Sequence, residues 1–377
     1  MKILFITNRF PPIVDGVGDY TYNLAKEFVR NGHEVVVVCS KNSRVVEGNH
    51  DSMCVYPIVI NWDRNAGKKI VCIAKQHNID IVSLQYVPHG FDKKGLPIGL
   101  LFAIREIKKA GFQLFTFCHE VSVEYFPGTI KQRLLEFLMK KITRSLLKQS
   151  DYIATSITHY RYMIGQLVGK RNIGQIPIAS NIPANVPNDA LMYSLRNGIA
   201  CADELVISFF GIRNVSTTLE AIKQLQSDGY KLKILFIGKI PDSIQNILPS
   251  NSIKTGVLDT MDIYKYFLVS DIMILPESSL SGVSFKSGSL AAAMEAGLPV
   301  ITAKGYLTDD SMKDGENVVF VYFENISAVK RAIADLVDNQ EKRKTIGEAA
   351  NQLMKGRTWD YTYKEYMKIM GNYDSRL

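Results

Sequence analysis

Between residues 271 and 305 the chain reads DIMILPESSLSGVSFKSGSLAAAMEAGLPVITAKG, and no other stretch restricts the available folds as much. Residues 272–275 form a short apolar run closed by Pro276, and residues 299–302 form a second. Runs that are apolar throughout, rather than alternating, suit parallel strands covered on both faces. Between them lies a loop rich in Ser and Gly, then an Ala-rich helix over roughly 288–296. Strand, small-residue loop, helix and strand make a βαβ unit, which commits this part of the chain to a layered α/β architecture. Ser284, Ser287, Gly288 and Ser289 stand where a helix begins, so hydroxyls and unpaired backbone N–H groups collect there. The helix dipole adds positive potential and Lys286 adds a cation, which suits a phosphate. The same residues also describe an ordinary capped helix in any α/β domain.

A chain of 377 residues is long for one core and comfortable for two. Its 46% hydrophobic and 22% charged residues are those of an ordinary globular protein. The five cysteines (39, 54, 72, 118, 201) are widely spaced, lack a CxxC and sit partly in apolar runs. They read as reduced thiols rather than a disulfide or zinc framework, which favours a cytoplasmic location. The first strand starts at Lys2, which leaves no room for a signal peptide, and no apolar run approaches the ~18 residues of a membrane span. Charge is unevenly placed. Residues 1–185 carry 24 Lys and Arg against 14 Asp and Glu, a net +10, whereas residues 186–377 carry 21 against 23. That asymmetry bears on partners rather than on fold.

Taken in order, residues 2–7 read as a buried strand, followed by the loop NRFPPIVDGVGDY and a helix over about 21–30. Gly32 ends it and VVVV is the next strand. Gly16 and Gly18 fall in the connecting turn. A GxG without a third spaced glycine is a weak dinucleotide signal, and the pair serves a close backbone approach or a turn equally well. Residues 80–86 and 114–118 read as further strands, the second ending at His119-Glu120. In a parallel sheet the carboxyl ends face the ligand crevice, so His119 stands where chemistry would occur, although a hydrogen-bonded structural His fits the same position. Residues 152–156 and 176–178 continue the strands. Residues 130–149 read as a helix with six Lys or Arg, one Glu and a Leu/Ile stripe; it fits an anionic membrane surface or a core-facing helix with a solvated face. The Pro- and Asn-rich segment 181–203 reads as a linker, after which a second series of strands and helices runs to a Tyr-rich terminal helix, TWDYTYKEYMKIM. Two α/β halves joined this way imply a cleft between them.

Several ordered segments carry a resemblance. ITNRFPPIVDGVGDYTYNLAKEFVRNGHEVVVV, FTFCHE, YFLVSDIMILPESSLSGVSFKSGSLAAAMEAGLPVIT and KDGENVVFV together resemble the GT-B glycosyltransferases, specifically the retaining, nucleotide-sugar-dependent family 4. QYVPHGF and GVSFKSGSL look closest to a subgroup usually written with RRGSL. The family commonly carries E-x7-E in the donor segment; counting back from Gly297 places those positions at Ser284 and Ala292, neither of them Glu. The Lys that usually follows the first strand of the second domain is also missing from 215–218, and Lys286 is a candidate to supply its charge.

The resemblance implies two Rossmann-like α/β domains facing across a cleft. Residues 1–182 would form the acceptor-side domain, 183–203 a linker, 204–357 the nucleotide-sugar domain, and 358–377 a helix crossing back to the first domain. It implies transfer of a sugar from a nucleoside diphosphate sugar to a glycan or lipid-linked acceptor in polysaccharide or glycoconjugate synthesis. His119 would be catalytic. Gly16, Arg213, Ser284, Phe285, Lys286, Ser287, Gly288 and Ser289 would hold the donor, and Gln85, Tyr86 and Glu120 would line the acceptor side. No carboxylate pair of the DxD type presents itself, so no metal and no cofactor beyond the donor is expected, and no nucleic acid. An anionic membrane surface is an expected partner, with the protein peripheral on the inner face. The alternatives are a sugar-nucleotide epimerase of the same fold and a non-catalytic sugar-nucleotide or glycan binder.

Overall fold

The unalternating apolar runs pair side by side in two separate sheets. A computed structural model describes residues 1–371 apart from 126, 212, 241 and 246, with side chains also set aside at 242 and 243. Ile212 in the expected donor turn, and the last six residues of the expected segment 358–377, lie outside the described residues.

One unit comprises Met1–Pro177 together with the segment that begins at Trp359. Its strands are β1 (Lys2–Ile6), β2 (Glu34–Ser40), β3 (Gly48–His50), β4 (Met53–Val59), β5 (Ile81–Tyr86), β6 (Gln113–Cys118), β7 (Tyr152–Thr155) and β8 (Gly174–Gln175). They lie in the order β3-β4-β2-β1-β5-β6-β7-β8, parallel throughout except for β3. The chain winds outward from β1 in both directions, so the switch point lies between β1 and β5. Every residue of β5 is buried, as a central parallel strand covered on both faces requires. The terminal helix Trp359–Ile369 packs against the first helix, Gly16–Arg30, and so completes the layer over the centre of this sheet.

The other unit, Ile178–Thr358, carries β9 (Leu205–Phe210), β10 (Leu232–Ile237), β11 (Ile253–Lys254), β12 (Ile272–Ile274), β13 (Val300–Thr302) and β14 (Val319–Phe320). The order is β11-β10-β9-β12-β13-β14, all parallel, with the switch point between β9 and β12. Its core is a continuous cluster of aliphatic and aromatic side chains from these strands and the helices Ser216–Ser227 and Ile326–Asp338. Both units are thus doubly wound parallel α/β folds. No helix among the described residues is long and apolar enough to cross a membrane.

Four sequence expectations change. The first helix starts at Gly16 rather than near 21, because Asp15 caps it by accepting from the amides of Val17 and Gly18. Residues 176–178 are not a strand; the pairing with β7 falls at Gly174–Gln175 instead. The β3–β4 hairpin was not anticipated, since MCVYPIV alternates between buried and half-buried positions and carries a proline. The supposed linker 183–203 contains the helix Asp189–Ile199, capped by Asn188 accepting from the Leu191 amide, and belongs to the second unit. Its prolines stand before the cap, where they start a helix rather than break one.

The helix Gly288–Glu295 is held at its C-terminal end by a close backbone approach. A Cβ added at Gly347, in the helix Gln340–Met354, would stand 2.1 Å from the Gly297 carbonyl oxygen. Gly347→Val is expected to destabilise the second unit by about 1–3 kcal/mol, the usual cost of overpacking. A thermal midpoint unchanged from wild type would show that this contact does not fix the helix.

Candidate functional site

In the second unit the site is built at the switch point of the sheet. β9 ends at Phe210 and the chain turns at Gly211, whose φ is +83°. A Cβ at Gly211 would lie 2.8 Å from Arg213 Nη1, so the glycine lets that side chain fold back over the strand end. Arg213 Nη1 donates to the Phe210 carbonyl at 2.7 Å, Nε donates to Glu277 Oε1 at 3.1 Å, and Nη2 lies 3.5 Å from Ser287 Oγ. Glu277 enters just after β12, so the ion pair ties the carboxyl ends of the two strands flanking the switch point. Ser287 is the N-cap of the helix Gly288–Glu295 and accepts from the Leu290 amide at 3.3 Å. Ser289 and Gly288 lie beside it, the first near Gly211 and the second near the Asn181 amide nitrogen. Arg213, Ser287, Gly288 and Ser289 therefore converge as expected from the sequence. What converges is a guanidinium beside a helix N-terminus, where first-turn amides have no acceptor within the helix.

Three expectations at this site are corrected or narrowed. Phe285 cannot touch a donor: its ring is fully buried and covered by the Arg357 guanidinium, 3.6 Å from the centroid. Ser284 is buried as well, its carbonyl accepting from the Ser287 amide, so it shapes the loop rather than lining it. Lys286, the next residue along the loop after Phe285, is half-buried. At Ala292, the second position of the missing glutamate pair, the side chain is fully buried within a helix whose residues Leu290 to Met294 all pack into the core.

In the first unit His119 follows β6 and is 95% buried, since only 5% of its surface is exposed. The rings of Tyr20 and Phe117 lie with centroids 4.7 Å from its own. His119 Nε2 lies 3.0 Å from Gln85 Oε1, while Gln85 Nε2 donates to Ser83 Oγ at 3.1 Å and to Tyr366 Oη at 3.3 Å. With its NH2 group committed, Gln85 offers its carbonyl oxygen to the histidine, so Nε2 carries the proton and Nδ1 is left as an acceptor. Burial lowers the His119 pKa to about 3, which keeps the ring neutral at every ordinary pH.

Gln85 and Tyr86 were expected to line an acceptor site, and neither does. Both are fully buried, Gln85 in the network above and Tyr86 with its hydroxyl 2.9 Å from Thr143 Oγ1. Their strand is central, so its side chains face helical layers rather than the end of the sheet. Glu120 is half-buried at the carboxyl edge. Not singled out by the sequence, Glu124 Oε2 lies 2.7 Å from His159 Nε2, which ties the loop after β6 to the first turn of the helix Thr158–Val168 that follows β7. Gly16 has open space around it, whereas a Cβ at Gly18 would stand 2.9 Å from the Arg9 carbonyl oxygen. The close approach thus belongs to Gly18, and it is to the chain itself. Glu277 and Arg357 were also missed; the signal for the first was an acidic residue one position beyond the proline that closes a buried strand. Among the described residues no group of three or more His, Cys, Asp or Glu could hold a metal ion.

A family model described as glycosyltransferase family 4 matches residues 14–177, and one described as glycosyl transferases group 1 matches residues 208–353. An uncharacterized glycosyltransferase of Methanocaldococcus jannaschii is 25% identical over 285 residues, covering 72% of this chain and 71% of its own. Among solved structures, sucrose-phosphate synthase from Thermosynechococcus elongatus superposes with a TM-score of 0.73 at 15% identity, over 98% of each chain. The Anabaena protein HepE, in complex with UDP and glucose, superposes with a TM-score of 0.72 at 13% identity, over 99% of this chain and 100% of its own.

The neutral His119 leaves a trace in the pH dependence of stability. Unfolded, the ring titrates near 6.5; folded, it stays neutral to about 3. Its contribution is complete above about pH 6.5 and is lost as pH falls, by about 1.4 kcal/mol per unit. Asp19, pushed up to about 6 by burial and then by Asp15, has the opposite sign: its contribution is complete below its usual value and lost as pH rises through 6. The measurement is therefore the difference between wild type and His119→Gln. Both tryptophans, Trp62 and Trp359, lie in the first unit, so their fluorescence follows that unit alone. From pH 6.5 to 4 the variant should gain on wild type by about 1.4 kcal/mol per unit. Parallel curves would mean that His119 takes up a proton in the folded state.

Proposed function

We infer, for a chain that belongs to the family 4-like glycosyltransferases of GT-B fold, that it is a retaining enzyme using a nucleoside diphosphate sugar as donor. The acceptor is a glycan or a lipid-linked glycan of polysaccharide or glycoconjugate synthesis, met on the cytoplasmic side. The observation that carries this reading is the placement of Arg213 against Ser287, the cap of the helix Gly288–Glu295, at the switch point of the second sheet. A departing diphosphate gains negative charge as the glycosidic bond breaks. Donors already fixed where that charge develops stabilise the transition state more than the bound donor. The Arg213 guanidinium, the Lys286 ammonium and the first-turn amides of Gly288 and Ser289 would do so without a metal. Arg213 is held by Glu277, so it needs no reordering when the donor arrives. In the first unit, His119 Nδ1 would accept a hydrogen bond from a hydroxyl of the transferring sugar, and Glu120 with the Glu124–His159 pair would meet the acceptor. The UDP found with HepE supports a uridine nucleotide as the first donor to try.

The test begins with UDP binding by calorimetry. Arg213→Ala and Lys286→Ala should each weaken UDP by about 1.5–3 kcal/mol and uridine hardly at all, since each removes a charged hydrogen bond to phosphate. Equal losses for both ligands would move the phosphate site elsewhere. Activity should then persist in excess EDTA. Complete loss, restored by Mg²⁺ or Mn²⁺, would overturn the metal-free mechanism. Sugar turnover without any acceptor, giving an epimerised nucleotide sugar, would favour the epimerase.

A further inference from the structure

The basic helix Ile130–Leu147 divides sharply along its length. Its C-terminal half is anchored: Met139, Ile142, Leu146 and Leu147 are buried in the first unit. Its N-terminal half is not. Ile130 is 89% exposed, Leu134 56%, Phe137 52% and Leu138 38%. These four recur at helical spacing, so they share one face. The stripe that the sequence offers as a single core-facing row is thus two rows, and the outer one is left exposed among the described residues. Thr129 and Gln132 close a capping box at its start, so the exposed half is a finished helix rather than a frayed end.

The charges around this face have one sign. Lys131, Arg133, Lys141, Arg144 and Lys148 are exposed, and the helix's one acid, Glu136, is neutralised by Lys140 at 2.6 Å. Lys141 Nζ stands 4.6 Å above the Phe137 ring. The neighbouring helix Ile98–Lys109 packs against it and repeats the pattern, with Ile98 and Phe102 exposed and the Arg105 guanidinium 5.4 Å from the Phe102 ring. Right-handed crossovers put both helices on the same side of the sheet. Apolar side chains ringed by cations, on two adjacent helices, match an interface that is anionic at its surface and apolar just beneath. A second copy of this chain fits poorly, because it would bring two basic faces together.

We propose that this face docks the first unit on an anionic membrane, with Ile130, Leu134, Phe137 and Leu138 entering the headgroup boundary and the surrounding Lys and Arg meeting lipid phosphates. The proposal rests on the reading above only for its purpose, which is to bring the enzyme to a lipid-linked acceptor. Binding itself is a property of the surface and is measured without donor or acceptor.

Co-sedimentation with phosphatidylglycerol-containing vesicles tests it, against pure phosphatidylcholine vesicles and in low and high salt. Binding is expected to anionic vesicles only and to fall steeply as salt screens the charges. Leu134→Asp with Phe137→Asp, and separately Lys131→Glu with Lys141→Glu, should each lower the vesicle partition coefficient at least about tenfold. The four positions are exposed, so the thermal midpoint and UDP affinity should stay at wild-type values, which separates failure of this surface from failure of the donor site. Absence of binding to anionic vesicles at low salt overturns the proposal. So does binding that neither double variant weakens, or sedimentation equilibrium showing a dimer that Phe137→Asp dissociates.

Discussion

The Gln85 side-chain amide is the point from which the first unit's site is arranged. It lies at the centre of a sheet, buried, with four hydrogen-bonding positions that cannot be left empty without a cost of about 1–3 kcal/mol for each buried polar group stranded. Its NH2 reaches Ser83 in its own strand and Tyr366 in the terminal helix, and its oxygen reaches His119. The network therefore sets the histidine's tautomer and gives the last helix a polar anchor as well as an apolar one. Tyr366 also stacks on Phe115 with centroids 4.4 Å apart. Loss of that helix would strand the amide and uncover the rings together. A segment more than two hundred residues away in sequence thus holds the candidate catalytic side chain in place.

The second unit solves a different problem. A guanidinium folded back at the end of a parallel strand has to be held in place with a donor still available. Glu277 and the Phe210 carbonyl fix two of its nitrogens and leave the third toward the capping serine. Below the loop, Phe285 is clamped under Arg357, the second residue before the terminal segment of the first unit begins. Trp359, two residues on, packs its indole edge-on against Tyr20, which in turn packs edge-on against His119. The short stretch 357–359 is thus gripped at one end by the loop that shapes the candidate phosphate site and at the other by the aromatic shell of the histidine. Each contact lies within its own unit.

These arrangements place two kinds of positive potential on the chain. The charge around the Ser287 cap is local: one guanidinium, one ammonium and a helix end within a unit that is slightly acidic overall. The excess charge of the first half is diffuse, and on the helix Ile130–Leu147 it accompanies exposed apolar side chains. Electrostatics of the first sort acts on a bound anion at short range in a partly desolvated site, whereas the second acts on an extended surface and is weakened by salt.

The sequence by itself determined the elements and their class. Apolar runs of strand length with helices between them point to a parallel, doubly wound sheet, and Ser287-Gly288-Ser289 before an Ala-rich run marks a capped helix. Those are local patterns, and local patterns are written in consecutive residues. Tertiary structure alone decided which side of each element meets what. Gln85 and Tyr86 sit at a strand's carboxyl end in the sequence, yet their side chains point into the layers; Phe285 sits among loop residues and is nonetheless core. The apolar stripe of residues 130–147 looks continuous, and only its burial among the described residues divides it into an anchored end and an exposed face. Glu277, Arg357 and Tyr366 acquire their roles from partners 64, 72 and 281 positions away. Periodicity reports where a side chain points relative to its own element, and a contact needs the position of a second element that only the packed chain supplies.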